Sequence, residues 1–192
     1  AVNALGRNID EEILAGIIGA NFTGNAGTTS TAFPSTQVVG VNQGGSAASN
    51  MNVAKLREGR RILMANNLNM DSEELYCAID AYAHDSLLAE TQVISSLYND
   101  TKVLVGGKIV KFLGVNLVHT ELLPTGTDDQ SGTSTQCMMW AKSGVYLGIW
   151  GEPQTSIDRR TDLQGIPMQA YVKGTFGATR LEEKKVVKIW TR

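Results

Sequence analysis

Residues 80–124 read DAYAHDSLLAETQVISSLYNDTKVLVGGKIVKFLGVNLVHTELLP, and this stretch decides the predicted fold. Asp80 is expected to cap a helix over residues 81–90, because its side chain suits the free amides of a first helical turn. The β-rich runs 103–105 and 108–113 flank Gly106-Gly107, a dipeptide typical of a two-residue hairpin. A strand over residues 115–120 follows. The stretch therefore predicts mixed helices and strands, and it contains no catalytic constellation.

The residues before this stretch predict two further helices and a strand. Residues 51–68 carry apolar side chains on one side, with Asn66 and Asn67 suited to a C-terminal cap. Residues 8–20 form the other helix, whose three acidic residues at 10–12 are expected in the first turn, at the positive end of the helix dipole. Residues 75–79 alternate with period two, as a strand does.

The remaining segments are predicted from their composition and from the glycine and proline residues that interrupt them. Residues 21–50 hold no charged side chain and are expected to be a loop or arm with a short strand over 37–41. Residues 124–135 are expected to be a polar loop with almost nothing to bury. A strand over 136–141, a short helix over 143–150, and β-rich pieces ending in a strand over 186–190 complete the prediction. Irregularly ordered strands mixed with a few helices favour an α+β fold.

Bulk composition describes an ordinary globular chain. Of 192 residues 42% are apolar and 19% charged, and the formal net charge is −2. A chain of this length buries enough surface to form a stable core without disulfides or bound metals. The near-neutral charge gives no bulk attraction to nucleic acid or to an acidic membrane. No run of 18 or more apolar residues is present, so no membrane-spanning helix is predicted.

Two cysteines, Cys77 and Cys137, each lie in an apolar run. Free cysteine behaves as a small hydrophobic residue, so two buried thiols are expected, and a disulfide between them is the alternative.

Candidate catalytic residues are few. The chain has two histidines, His84 and His119, and His84 is followed by Asp85. Adjacent residues of a helix do not face each other, and no nucleophile occurs in a matching motif. Surface or hydrogen-bonded histidines without catalytic role are expected. No catalytic, cofactor-binding or metal-binding residue is assigned.

Charged clusters are interpreted as solvated surface. Asp128-Asp129 and the pair Asp158 and Asp162 are the carboxylates that could hold a divalent cation, and the first pair lies in a polar loop without the staggered oxygen ligands of a calcium loop. Arg159-Arg160 and the mixed-sign run at 182–188 are expected to be solvated, and inter-subunit ion pairs are the alternative.

Five large aromatic side chains lie in the second half of the chain. Most of them are expected in the core, with one or two available to contact a neighbour, because aromatic residues are enriched at interfaces. They are Trp140, Trp150, Trp190, Tyr146 and Tyr171.

Four segments, in order, resemble the major capsid proteins of tailed phages, which have the Hong Kong 97-like fold. RNIDEEILAGIIGANFTG at 7–24 resembles the segment before the family's central helix, and residues 53–90 resemble its spine helix, a strand and the helix entering the apical domain. LVGGKIVKFLGVNLVHTELLP at 104–124 is similar to a glycine-hinged strand passage. GTFGATRLEEKKVVKIWTR at 174–192 resembles the closing strand.

The resemblance implies an α+β capsid subunit with no enzymatic activity. Its peripheral domain would hold the spine helix, residues 51–68, and a long sheet, and its apical domain would be α/β. The implied division is 1–70 peripheral, 71–150 mainly apical and 151–192 returning to the peripheral domain. Implied partners are copies of itself in pentamers and hexamers, a scaffolding protein and a portal, with packaged double-stranded DNA contacted without sequence preference. The implied location is the virion, after assembly in the bacterial cytoplasm.

The chain also departs from the resemblance. Relatives carry an N-terminal arm and an extended hairpin ahead of the segment at Arg7, whereas this chain starts at Ala1, so a truncated or processed core is expected. Two alternatives stay open: an encapsulin-type shell that encloses proteins, and a small hydrolase or metal enzyme using His84 or His119.

Overall fold

A computed structural model describes residues 2–94, 108–165 and 167–192. The helices are α1 (Val2–Ile18), α2 (Val53–Ala65), α3 (Ala81–Ala89) and the single turn α4 (Thr91–Ile94). The strands are β1 (Asn21–Thr23), β2 (Thr29–Thr31), β3 (Val38–Val39), β4 (Leu75–Ile79), β5 (Lys111–Phe112), β6 (Val115–His119), β7 (Thr125–Thr127), β8 (Thr133–Ala141), β9 (Val145–Arg159), β10 (Met168–Arg180) and β11 (Val186–Thr191).

A mixed seven-stranded sheet forms the centre of the molecule. Its order is β3-β11-β8-β4-β6-β5, and β7 pairs with the outer part of β8. β11 runs parallel to β3 and β4 parallel to β6, while the other pairs are antiparallel. The central strands are buried on both faces, which explains why β4, β8 and β11 are rich in consecutive apolar residues.

Helix α2 packs on this sheet. Asn52 caps its N-terminus by accepting a hydrogen bond from the Lys55 amide, and Asn66 ends it. Asn67 then adopts a left-handed conformation with φ of 62°, which asparagine tolerates well. At Gly59 the helix lies close to Met139 and Ile189, where an added Cβ would be 3.2 Å from the Met139 side chain.

The long hairpin formed by β9 and β10 is a separate two-stranded sheet, and α1 packs along β10. The contact is closest at Gly16, where a Cβ would lie 2.5 Å from the Ala178 carbonyl oxygen. Glycine at this position therefore lets the helix approach the strand. The helix beside the long hairpin is α1, not the helix predicted over 51–68, because α2 contacts β11 and β3 instead.

Several local predictions are confirmed. They are the strand over Leu75–Ile79, the Asp80-capped helix, the strand over Val115–His119 and the closing strand at Val186–Thr191. Both cysteines are free and buried, as expected. The 103–105 strand and the Gly106-Gly107 turn lie outside the described residues, and of the run 108–113 only Lys111–Phe112 is strand.

Other local predictions are wrong. α1 begins at Val2, so the acidic residues 10–12 lie in its middle. Residues 21–31 form a small hairpin of β1 and β2 rather than loop. The helix predicted over 143–150 is the start of β9, because this segment pairs along its length with β10.

The predicted division of the chain at residues 70 and 150 stays a prediction. β3 and β11 belong to the same seven-stranded sheet as β4 and β8, and α2 packs on that sheet.

Candidate assembly surfaces

The fold brings the two histidines to one cleft. Their ring centroids are 6.5 Å apart, and the cleft of about 380 Å³ is also lined by Ile79, Lys108, Ile109 and Leu117. His84 Nε2 accepts a hydrogen bond from the Ile109 amide at 3.3 Å. His119 Nε2 lies 2.9 Å from Glu121 Oε1, which also accepts from the Ala81 amide.

This cleft has no arrangement for nucleophilic or metal chemistry among the residues described. None of the described lining residues carries a hydroxyl, a thiol or a carboxylate, and His84 Nε2 is engaged by a backbone amide. The Glu121 carboxylate beside His119 also accepts a hydrogen bond from the Ala81 amide. Within residues 2–94, 108–165 and 167–192, no group of three His, Cys, Asp or Glu side chains is placed to hold a metal ion. The histidines thus tie α3 and the strand ends together, one through Ile109 and the other through Glu121.

Asp128 corrects the expectation of a solvated loop at 124–135. Its side chain is buried where β7 turns into β8 and accepts hydrogen bonds from the Gln130 and Gly132 amides and the Ser134 hydroxyl. Arg192 Nη2 lies 2.7 Å from the same carboxylate. Burial raises the pKa of Asp128, but these hydrogen bonds and the Arg192 charge outweigh it and lower the pKa to about 2.

Asp129 is likewise not a free loop carboxylate. Its Oδ1 accepts a hydrogen bond from the Val41 amide at 2.9 Å, which fastens the segment after β3 to the β7–β8 turn. The two aspartates therefore act as structural ties, and neither was distinguishable by sequence from a surface carboxylate.

Lys55 is a buried charge that the sequence did not reveal. Its ammonium donates to the Ser49 carbonyl at 2.6 Å and the Trp190 carbonyl at 2.8 Å. Burial lowers its pKa to about 8, against the opposing influence of Cys137 and the two aspartates at 128 and 129. The side chain joins α2 to β11 and to the loop before α2.

The β9–β10 hairpin displays the largest aromatic side chains. Trp150 is 80% exposed, and Tyr146 and Tyr171 are more than half exposed. Trp190 is buried and Trp140 is half-buried, stacked on Tyr76 with ring centroids 6.1 Å apart. The expectation that most of the five lie in the core is wrong, because the hairpin is a two-stranded sheet and, among the elements described, α1 makes the main packing contact with it.

The mixed-sign clusters form local ion pairs. Arg160 pairs with Asp162 at the hairpin tip, and Lys185 Nζ lies 2.9 Å from Glu182. Exposed pairs of this kind contribute little to stability. Pairing of these clusters between subunits stays a prediction.

Among the helices described, none combines the length and apolar character that crossing a bilayer requires.

Comparison with solved structures places the fold. Over its whole length the chain superposes on the capsid of cyanophage P-SCSP1u with a TM-score of 0.70 at 16% identity, covering 63% of that chain. For the cyanophage Pam1 capsid the TM-score is 0.67 at 13% identity, with 99% of this chain and 65% of that chain covered. For the capsid of Helicobacter pylori bacteriophage KHP30 it is 0.63 at 14% identity, with 100% and 68% covered.

These similarities confirm the predicted α+β, Hong Kong 97-like fold of phage capsids. The chain spans 60–65% of the length of the first three solved capsid chains that it matches. No curated protein matches it. A family model described as phage capsid protein matches residues 1–191. The chain therefore belongs to the phage capsid protein family.

Proposed function

We propose that this chain is the structural subunit of an icosahedral phage capsid, and that it functions by self-association rather than by catalysis. The family match along residues 1–191 carries this proposal. Copies of the chain would form pentamers and hexamers, and these would close into a shell around double-stranded DNA. Contact with DNA needs no reading element, because it would be to phosphate and independent of sequence.

The arrangement of elements supports a two-part subunit. We assign α1 and the β9–β10 hairpin to the peripheral domain, since a helix lying along a long, narrow sheet matches the expected spine and sheet. The seven-stranded sheet with α2 and α3 would be the apical domain. This assignment replaces residues 51–68 by α1 as the spine helix, and it moves β11 to the apical domain. Residues 124–135, which contain β7, would then remain apical.

The wider biological setting is part of the same proposal. The subunit would reside in the virion after assembly in the cytoplasm of a bacterial host, from a phage or prophage gene. A scaffolding protein and a portal are the expected heterologous partners of such a shell.

The test is to express the complete gene product in bacteria and examine it by electron microscopy. Expression is expected to give closed particles. Particles purified after phage infection or prophage induction are expected to contain DNA that is protected from nuclease. Particles filled with a specific protein cargo would favour the encapsulin-type alternative. A product that stays monomeric under all conditions would contradict both.

A matched variant separates assembly from the enzymatic alternative. His119→Gln removes the imidazole from the cleft while keeping a polar side chain in an exposed position. Assembly is expected to proceed at the wild-type yield. A hydrolytic turnover present in the wild-type protein and lost in this variant would favour the hydrolase alternative instead.

A further inference from the structure

Helix α1 carries a cluster of exposed carboxylates. We define the acidic patch as three consecutive exposed residues: Asp10, Glu11 and Glu12. Among the residues that the structure describes, none of these carboxylates forms an ion pair. Residues 7–12 hold these three acids and one base, Arg7, so the stretch has a net charge of −2.

Helix α2 carries a matching cluster of positive charge. We define the basic patch as three arginines: Arg57, Arg60 and Arg61. Arg57 and Arg61 are exposed, and Arg60 donates to the Leu113 carbonyl at 2.9 Å. Arg61 pairs with Glu58 at 2.6 Å, whereas Arg57 forms no ion pair within the part of the chain that is described. Residues 57–61 hold three bases and one acid, so their net charge is +2.

Neither patch stabilises the helix that carries it. The helix dipole favours acidic side chains in the first turn, but α1 begins at Val2 and the acidic patch lies near its middle. Arg57 and Arg61 are four residues apart on α2, where like charges are neighbours and weaken a helix. Both patches are therefore better explained by a partner outside the helix.

The two patches lie on opposite sides of the subunit. Gly59 of α2 lies against Met139 of β8. Ile13 and Leu14 of α1 line a pocket with Trp140, the next residue of β8. Successive side chains of a strand point to opposite faces of its sheet, so the two helices pack on opposite faces. The acidic patch and the basic patch therefore cannot meet within one subunit, but two adjacent subunits can bring them together.

Charge indicates which occupant suits these surfaces. Nucleic acid would be attracted by the basic patch and repelled by the acidic patch, whereas a second copy of the chain offers the opposite charge to each. A symmetric contact of like patches would place equal charges against each other. The favoured contact is therefore head to tail, the type that closes into rings when the rotation between subunits is suitable. Met64, which is 53% exposed on the same side of α2 as Arg57 and Arg61, adds an apolar surface beside the charges.

We propose that the acidic patch of one subunit binds the basic patch of the next copy. This inference rests on the proposed function, because it names a contact by which the subunits associate. Exposed ion pairs add little affinity, but they select the partner, fix its orientation and weaken as salt screens them. The contact would thus set the order of subunits around a ring, with Arg57, Glu11 and Glu12 as its central residues.

The experiment is a charge-reversal cycle in the complete gene product, with the particle yield counted by electron microscopy. The reversals are Glu11→Lys with Glu12→Lys in the acidic patch, and Arg57→Glu with Arg61→Glu in the basic patch. Each reversal alone places like charges in contact and is expected to lower the particle yield at least about tenfold. The variant that combines both reversals restores opposite charges, and its yield is expected to return to within about threefold of the wild-type value.

A matched control separates pairing from net charge. It combines the reversed basic patch with Asp71→Lys and Asp85→Lys, two exposed acidic residues outside the acidic patch. Its net charge equals that of the combined variant, but its acidic patch is unchanged, so its particle yield is expected to stay low.

Thermal unfolding of the unassembled subunits checks that the variants fold. If a reversal prevents folding, Glu11→Gln with Glu12→Gln takes its place. Wild-type assembly is expected to weaken as the salt concentration rises, and assembly of this neutral variant is expected to depend less on salt.

Several results would overturn the inference. They are wild-type yield from either reversal, a combined variant as impaired as the single reversals, equal rescue by the control, and equal salt dependence of the wild-type protein and the neutral variant. Normal particles that lose their protected DNA when the basic patch is reversed would identify nucleic acid as the occupant, which also overturns it. In each of these cases wild-type particles still form, so the proposed function survives. If the wild-type protein forms no particles, the proposed function fails and this inference fails with it.

Discussion

Replacing Gly16 by alanine tests the contact on which the hairpin's position depends. The added Cβ would lie 2.5 Å from the Ala178 carbonyl oxygen and 2.7 Å from its carbon. Ordinary contact begins at 3.4 Å, so the oxygen is 0.9 Å too close (3.4 − 2.5). The obstacle is backbone, which cannot rotate away as a side chain would. The helix or the strand must therefore move.

Gly6 provides the matched control, because it lies in the same helix and a Cβ there would meet nothing within 4 Å. Alanine in a helix interior is favoured over glycine by about 1 kcal/mol, and this gain is common to both substitutions. Only Gly16→Ala adds the cost of overpacking, about 1–3 kcal/mol. The two variants should therefore differ by about 1–3 kcal/mol in unfolding free energy.

The assay is thermal unfolding of the wild-type protein and the two variants side by side. One kcal/mol shifts the midpoint by about 2–4 °C in a domain of this size. Gly6→Ala is expected to raise the midpoint by up to about 4 °C, and Gly16→Ala to leave it unchanged or lower it. If Gly16→Ala stabilised the protein as much as Gly6→Ala, α1 would not pack on β10 as described.

Three further predictions concern the buried polar groups. The pKa of Asp128 is lowered from 3.8 to about 2, so its contribution to stability is present above pH 3.8 and is lost as the pH falls towards 2. Asp128→Asn should therefore weaken the fall in unfolding temperature between these two pH values. An equally steep fall in the variant would contradict the account of the Asp128 hydrogen bonds. The pKa of Lys55 is lowered from 10.5 to about 8, so between these pH values the folded protein has lost the Lys55 proton while the unfolded chain still binds it. The wild-type protein should therefore gain stability over this range relative to Lys55→Met. Parallel curves of stability against pH for the two proteins would refute the burial of the Lys55 charge. Asp80 caps α3 by accepting from the Ala83 amide at 2.8 Å, so Asp80→Ala should cost about 1 kcal/mol in denaturant unfolding while Asp80→Ser keeps most of the cap, and equal losses would indicate another role.

Elements with local signals were predictable from the sequence. The strand over 75–79 and the helix after it follow from a period-two run that ends at an N-cap aspartate, and the structure has both, with Asp80 bonded as expected. The end of α2 at Asn66 is similar, because asparagine suits a C-terminal cap. In each case neighbouring residues decide the conformation.

The long strand β9 was missed because its cause is not local. Gly148, Gly151 and Pro153 interrupt its sequence, and glycine and proline argue against strand. Its pairing with β10 overrides them: Gly148 lies opposite Gly177, and Pro153 lies at a register shift where no ladder partner is required. The packing of α1 on β10 is equally non-local, since the two elements are far apart in sequence.

Buried charges were equally invisible in the sequence. Lys55 finds one carbonyl acceptor 135 residues away, at Trp190, and Asp128 pairs with Arg192, 64 residues away. A lysine or an aspartate next to other polar residues gives no sign of such partners.

The native mass of the complete gene product is the most direct test of the central claim, that this chain functions by tiling with copies of itself. Mass measurement under native conditions should show a discrete species of many identical subunits. A product whose mass equals a single chain at every concentration and salt condition would contradict the account.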